Sequence, residues 1–344
     1  MPVVRPFRAL RYDPAVAGPL APLVAPPYDV ISPEARDDYL ARSPYNIVHL
    51  TLPDSPEAAA TSLAGWLAEG VLREEEPGYW WLAQEYVGPD GVERVREGFA
   101  ASIEATPYEA GEVLPHERTH AGPKEDRLRL LRATLTQLEP IFLLHDGDPP
   151  FGRPSAAPAL DVAEGGVRTR AWRIATDAPV ALDTPLLIAD GHHRYETAVA
   201  FREERPTATQ LLGVLVSARA PGLEIFPTHR VVRRVGAAVR GTEVDGPGDG
   251  VTLYRGGRYL RVESDEEFGP RVVEALRPTG VSYTPHANEA VAAVDRGEAE
   301  AAFLLQPVTV EQVARFARAG ETMPQKSTFF YPKLTSGLLL HPVA

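Results

Sequence analysis

Asp190-Gly191-His192-His193-Arg194 sets an acid, a glycine, two imidazoles and a guanidinium side by side, directly after the apolar run Leu186-Leu187-Ile188-Ala189. A buried strand that runs into such a group and then into a helix leaves backbone N–H groups unsatisfied at the helix start, and these attract anions. Gly191 lets the backbone turn sharply or approach a ligand, and Arg194 supplies a fork of donors suited to phosphate. Asp190 could hold a magnesium ion through oxygen, take a proton from a hydroxyl, or simply cap the helix while the histidines pack. His192 or His193 with Glu196 has helical spacing that could also meet a zinc ion.

Three further stretches could contribute. "LPHERTHAGPKEDR" (114–127) holds His116, Glu117, Arg118, His120, Lys124 and Arg127. Lys124 and Arg127 fall in the expected first turn of a helix, where cations are mildly unfavourable unless an anion joins them. The bland alternative is an ordinary charged helix face. "MPQKSTFFYPK" (323–333) sets Lys326, Ser327, Thr328 and Lys333 around three aromatics, and "IFPTHRVV" (225–232) places His229-Arg230 after a turn. Each of these could hold a ligand or merely edge a sheet. Tyr28 and Asp29 in "PPYDVIS", and Asn46 in "SPYNIV", are weaker candidates. No Walker-type loop, GxGxxG fingerprint or GxSxG elbow is present.

The elements that must position these residues follow from apolar spacing and punctuation. Ser32-Pro33-Glu34 opens a short helix, and Ser55-Pro56 opens another that carries Leu63, Trp66 and Leu67. "YNIVHLTL" (45–52) reads as a strand. A hairpin is expected over 78–106 around "GPDG", a helix over 123–138, and buried strands at "PIFLLH", "PLLIA" and "TQLLGVLVSA". "HRYETAVAFREER" is a helix. Strands and helices alternate to the end, which argues for an α/β (α+β) protein with a division near "GTEVDGPGDG" (241–250).

The whole chain sets outer bounds. Its 344 residues suggest about two domains. A net charge of -12 gives no support to a nucleic-acid partner. The absence of cysteine removes disulfides, thiolate nucleophiles and cysteine-ligated zinc. No apolar window reaches the roughly 18 residues of a membrane span, and "MPVVRPFRALRYDP" lacks the apolar stretch of a signal peptide. A cytoplasmic protein is expected.

Several long words, in order "RPFRALRYDP", "APPYDVIS", "SPYNIVHL", "HERTHAGPKEDRLRLLRAT", "PIFLL", "ADGHHRYETA", "PTHRVV" and "MPQKSTFFYPKL", resemble the bacterial domain-of-unknown-function family 1015 over nearly the whole chain. More distantly, "DGHHR" between a buried strand and a helix is similar to the phosphate-handling motif of the ParB/sulfiredoxin superfamily. In that group ParB proteins bind and hydrolyse CTP, sulfiredoxin uses ATP, and an archaeal branch phosphorylates free serine with the same Asp-Gly-His-His-Arg order. The resemblance implies that Asp190 lies at the metal or the substrate hydroxyl, and that His192, His193 and Arg194 face nucleotide phosphates. The missing cysteine excludes sulfinic acid repair, and no basic DNA-binding region is evident. Glu34 and Glu117, with Asp29 behind them, are the candidates for the upstream base of the serine kinases.

The expected function is an ATP- and Mg2+-dependent phosphotransferase acting on the hydroxyl of a small metabolite, with free L-serine as leading acceptor. Asp190, His193, His116 and Glu117 would do the chemistry, with Asp190 also the magnesium ligand. Gly191, His192, Arg194, Lys124, Arg127 and Lys326 would hold the nucleotide. The alternatives are a CTP- or ATP-gated regulatory switch and a metal-dependent hydrolase. The fold expected is a ParB/sulfiredoxin-like core over 1–240 with a β-rich insertion at about 75–175. A C-terminal α/β region over 241–344 would follow, its end returning to the site.

Overall fold

A computed structural model describes residues 1–117 and 121–343, without the side chains of 121–123. Arg118 and His120 therefore lie outside the described residues. The chain is mixed α/β, as its alternating pattern implies. It forms two compact units. The first takes in Met1–Pro115 and residues 121–223 and 332–343; the second takes in His116, Glu117 and Glu224–Tyr331.

Ten strands of the first unit join in one sheet. From one edge the order is Val113–Leu114, Leu186–Asp190, Ile141–His145, Gln210–Ser217, Glu93–Glu104, Tyr79–Val87, Val167–Ile174 and Leu160–Glu164. Val3–Arg5 and Val180–Ala181 extend it to the side. Leu186–Asp190 is parallel to Val113–Leu114 and antiparallel to Ile141–His145, which runs parallel to Gln210–Ser217. The central strands are covered on both faces, which is why "PIFLL" and "LLIA" are continuous apolar runs rather than alternations. The strands of 75–175 are hydrogen-bonded into this same sheet, with Glu93–Glu104 paired along Gln210–Ser217.

Helices Pro33–Arg42 and Pro56–Ala68 start where Ser32 and Ser55 accept from the N–H groups of Ala35 and Ala58, each with proline at the first position. Two sequence expectations are corrected. "YNIVHLTL" is no strand: Val48–Thr51 is a helical turn, because buried Asn46 accepts from Val48 N while donating to the Pro22 carbonyl. The helix expected over 123–138 spans Ala121–Thr134 and stops at Leu135, whose φ of 49° leaves the helical region. Thr136–Gln137 then pairs with His341–Pro342.

In the second unit six antiparallel strands run Gly241–Val244, Arg258–Val262, Thr252–Arg255, Ala301–Leu304, His229–Arg234 and Thr279–Thr284. His229–Arg234 is hydrogen-bonded on both sides, so this unit starts at Glu224, upstream of the division read near 241–250. Among the described residues no helix is long and apolar enough to cross a membrane.

Candidate functional site

The motif that opened the sequence question lies in the first unit, where strand Leu186–Asp190 meets helix His192–Glu204. The strand's register against Ile141–His145 shifts between Ile188 and Asp190, and such bulges re-aim a side chain beside a site. Gly191 then turns the chain with φ 99° and serves as the N-cap. A β-carbon there would come within 3.1 Å of the Arg194 guanidinium, so glycine is required by both conformation and space.

Asp190 is not the helix cap; Gly191 holds that position, and among the described residues no side chain caps this helix. Its carboxylate instead joins two cations. Oδ2 accepts from Arg194 Nη2 at 2.9 Å, and Oδ1 accepts from Lys333 Nζ. Arg194 also donates to the Pro140 carbonyl. Burial alone would raise the Asp190 carboxyl, but Lys333 and Arg194 outweigh it and hold the pKa well below the usual carboxylate range. Burial pulls both cations down, and neighbouring acids more than offset it: Glu139 and Asp190 act on Arg194, Asp190 and Asp29 on Lys333. The triad is ionised at neutral pH.

This arrangement does not fit the metal role expected of Asp190. Both oxygens already face cations, so a magnesium ion there would meet two positive charges balanced by one carboxylate. Nor do three or more His, Asp or Glu side chains gather as a metal cage among the described residues, which leaves the His192, His193 and Glu196 zinc reading without the further ligands it needs.

Buried His192 and half-buried His193 stand in the first turn beside Arg194. Lys124 pairs with Glu196 at 3.5 Å. Arg127 lies one turn further along its helix than the sequence implied, with its guanidinium 4.2 Å above the Tyr28 ring and Nη1 donating to the Thr51 carbonyl at 2.6 Å. Tyr28 is thereby drawn to the site from "PPYDVIS", half-buried rather than buried.

His116, Glu117 and Lys326 belong to the second unit. Buried His116 lies 3.0 Å from the Thr328 hydroxyl, and its carbonyl accepts from Met323 N. Glu117 accepts from the backbone N–H of Lys326, which has φ 55°. These three form a cluster within the second unit. Glu34 is exposed on its helix, and its carboxyl is lowered by its own backbone and Ser32, the signature of a helix start.

Lys333 and Glu139, with the residues that hold them, were not assigned a role from sequence. Lys333 reaches Asp190 because its segment is gripped: buried Arg96 donates to the Pro332 carbonyl at 2.6 Å, and Gln84 donates to the Lys333 carbonyl at 3.2 Å. Buried Glu139 accepts from Tyr28 N and Ser336 Oγ. The signal for Glu139 was an acid between a helix and a buried strand, in "QLEPIF".

No curated protein matches the sequence. Among solved structures the chain is similar to a free serine kinase in complex with AMP, at 14% identity and TM-score 0.44, over 70% of this chain and 91% of that one. SbnI with C-terminal truncation from Staphylococcus aureus is similar at 10% identity and TM-score 0.43, over 70% and 86%. A conserved hypothetical protein from Pyrococcus furiosus is similar at 16% identity and TM-score 0.39, over 68% and 93%. Likeness at this distance identifies no activity. The family described as "Protein of unknown function (DUF1015)" matches residues 4–243, and the chain belongs to that family.

Proposed function

We propose that the first unit is an ATP-dependent phosphotransferase whose acceptor is the hydroxyl of a small metabolite, with free L-serine the leading acceptor. The observation that carries this reading is the glycine-capped start of helix His192–Glu204 beside two half-buried cations. The positive end of a helix, a guanidinium and an ammonium are the parts an anion site is made from. The Asp-Gly-His-His-Arg order it shares with the serine kinases supports the same reading.

Phosphoryl transfer needs alignment and charge neutralisation more than covalent help. The acceptor oxygen bonds to the γ-phosphorus as the bond to the ADP oxygen breaks, and the hydroxyl proton is released to solvent. Lys333 and Arg194 neutralise the charge that builds on the phosphoryl oxygens. His192 and His193 supply the first-turn N–H groups. Asp190 is a positioning residue that holds both cations in place. Magnesium enters with ATP as part of that substrate, and no step runs through a resident ion.

A second reading has one observation in its favour. Both Asp190 oxygens are engaged by cations, which suits a switch that binds ATP or CTP without turning it over. Calorimetric titration with each nucleotide tests both readings. ATP binding that weakens about tenfold or more in Lys333→Met supports the phosphate site; binding that is unchanged in that variant removes it. Binding of CTP in preference to ATP, with no ADP formed in the presence of serine, would move the assignment to the switch.

A further inference from the structure

A cavity of about 60 Å³ lies within the first unit, and Arg194 of the triad contributes to its wall. At 10–15 Å³ per water it has room for roughly four to six water-sized groups. A nucleoside does not fit such a space, whereas a compound of three or four carbons does. Leu130, Leu131, Leu138 and Ile141 make its apolar side.

Its polar lining is unusual in what remains unused. Thr51 is 1% exposed, and among the described residues its hydroxyl has no hydrogen-bond partner. Buried hydroxyls are almost always bonded, so an orphan on a residue of the cavity wall points to a ligand. Arg127 spends only Nη1, on the carbonyl of that same Thr51, among the described residues. Glu139 is 7% exposed, and Oε1 takes both of its hydrogen bonds, from Tyr28 N and Ser336 Oγ. Oε2 accepts none among the described residues. One cationic fork, one carboxylate oxygen and one hydroxyl are therefore available around a space sized for a small molecule. Arg194 is already paired with Asp190, so a ligand with only a negative or only a positive charge would leave either Glu139 or Arg127 unmatched.

We infer that this cavity is a binding site for a small α-amino acid, its carboxylate held by Arg127, its ammonium by Glu139 and one of the two by the Thr51 hydroxyl. It would be the acceptor subsite of the phosphotransferase, next to the phosphate site through their shared Arg194, and in that role it rests on the proposed function. Arg127 then belongs to the acceptor and not to the nucleotide, in contrast to the expectation from sequence.

The experiment is calorimetric titration of the whole protein, without nucleotide, with L-serine, glycerate and ethanolamine. Serine should bind, and the two analogues, each lacking one charge, should bind at least about tenfold more weakly. Glu139→Gln should lose about tenfold for serine. Thr51→Val keeps the shape and deletes only the orphan hydroxyl, so its melting temperature should hold or rise while serine binding weakens. That combination separates ligand loss from misfolding. Equal binding of serine and both analogues, no binding of serine, or wild-type binding by both variants overturns the site. Phosphorylation of serine at the wild-type KM by Glu139→Gln overturns the subsite and leaves the phosphotransferase standing. Serine binding as described with no phosphoryl transfer leaves the site standing and ends the phosphotransferase reading.

Discussion

Asp190 shows how one side chain can be read three ways and settle into a fourth. Helix cap, metal ligand and base were all compatible with its place in the sequence; the structure makes it the anion between Arg194 and Lys333, 18% exposed. Asp190→Asn leaves two cations in a half-dry site, and the loss should be on the order of 3 kcal/mol. Adding Lys333→Met to Asp190→Asn should restore part of it, which chemical denaturation of the two single variants and the double variant will measure. Simple additivity would mean that the pair is not coupled. Gly191→Ala forces an L residue to φ 99° and pushes a methyl against Arg194. It should cost about 1–2 kcal/mol and weaken ATP binding, whereas an alanine variant with wild-type stability would contradict the turn described here.

At the scale of elements, the sequence was legible where local chemistry acts alone. The serine-proline helix starts, the hairpin over 78–106 and the strand-to-helix passage at Asp190 follow from caps, turns and apolar period. "YNIVHLTL" misled because its alternation was overruled by Asn46, whose local bond from Val48 N is anchored by a long-range one to the Pro22 carbonyl. The site was half legible for a similar reason. Asp190 through Arg194 are consecutive, but Lys333 arrives from 143 residues away. What brings it is the grip of Arg96 and Gln84 on the carbonyls of Pro332 and Lys333, and no pattern in "FFYPKL" announces that. Arg96→Leu should therefore act at a distance from the nucleotide, raising KM for ATP several-fold while an unrelated surface substitution such as Val95→Thr leaves it unchanged. An unaltered KM would show that Lys333 holds its place without the grip.

At the scale of the whole molecule, each compact unit carries a histidine, buried in the second unit and half-buried in the first, that folding keeps neutral. His229, in the second unit, is pushed down to about 4 by burial and by nearby His286 and Arg230. Its Nδ1 accepts from Leu305 N, a bond that a proton on that nitrogen would abolish. His341, in the first unit, is pushed down to about 4 by burial. The unfolded chain takes up these protons near pH 6.5, so below that value it binds more protons than the fold. Stability from both groups is complete above about 6.5 and is lost as pH falls toward 4. The Asp190 contribution has the same sign but lies lower, fading as pH falls below the unfolded carboxyl value near 3.9. Melting curves between pH 7.5 and 4.5 should fall steadily, and His229→Asn should flatten part of the slope. A curve flat over that range would place the histidines in contact with water.

The central claim is that this chain moves the γ-phosphate of ATP to a small hydroxyl compound using Lys333 and Arg194. Phosphorus NMR tests it most directly, on the whole protein with ATP, magnesium and a pool of serine, threonine, homoserine and glycerol. A new phosphomonoester signal with matching ADP is expected, strongest with serine alone and absent in Lys333→Met. ATP left intact, or converted only to ADP and inorganic phosphate, would contradict it.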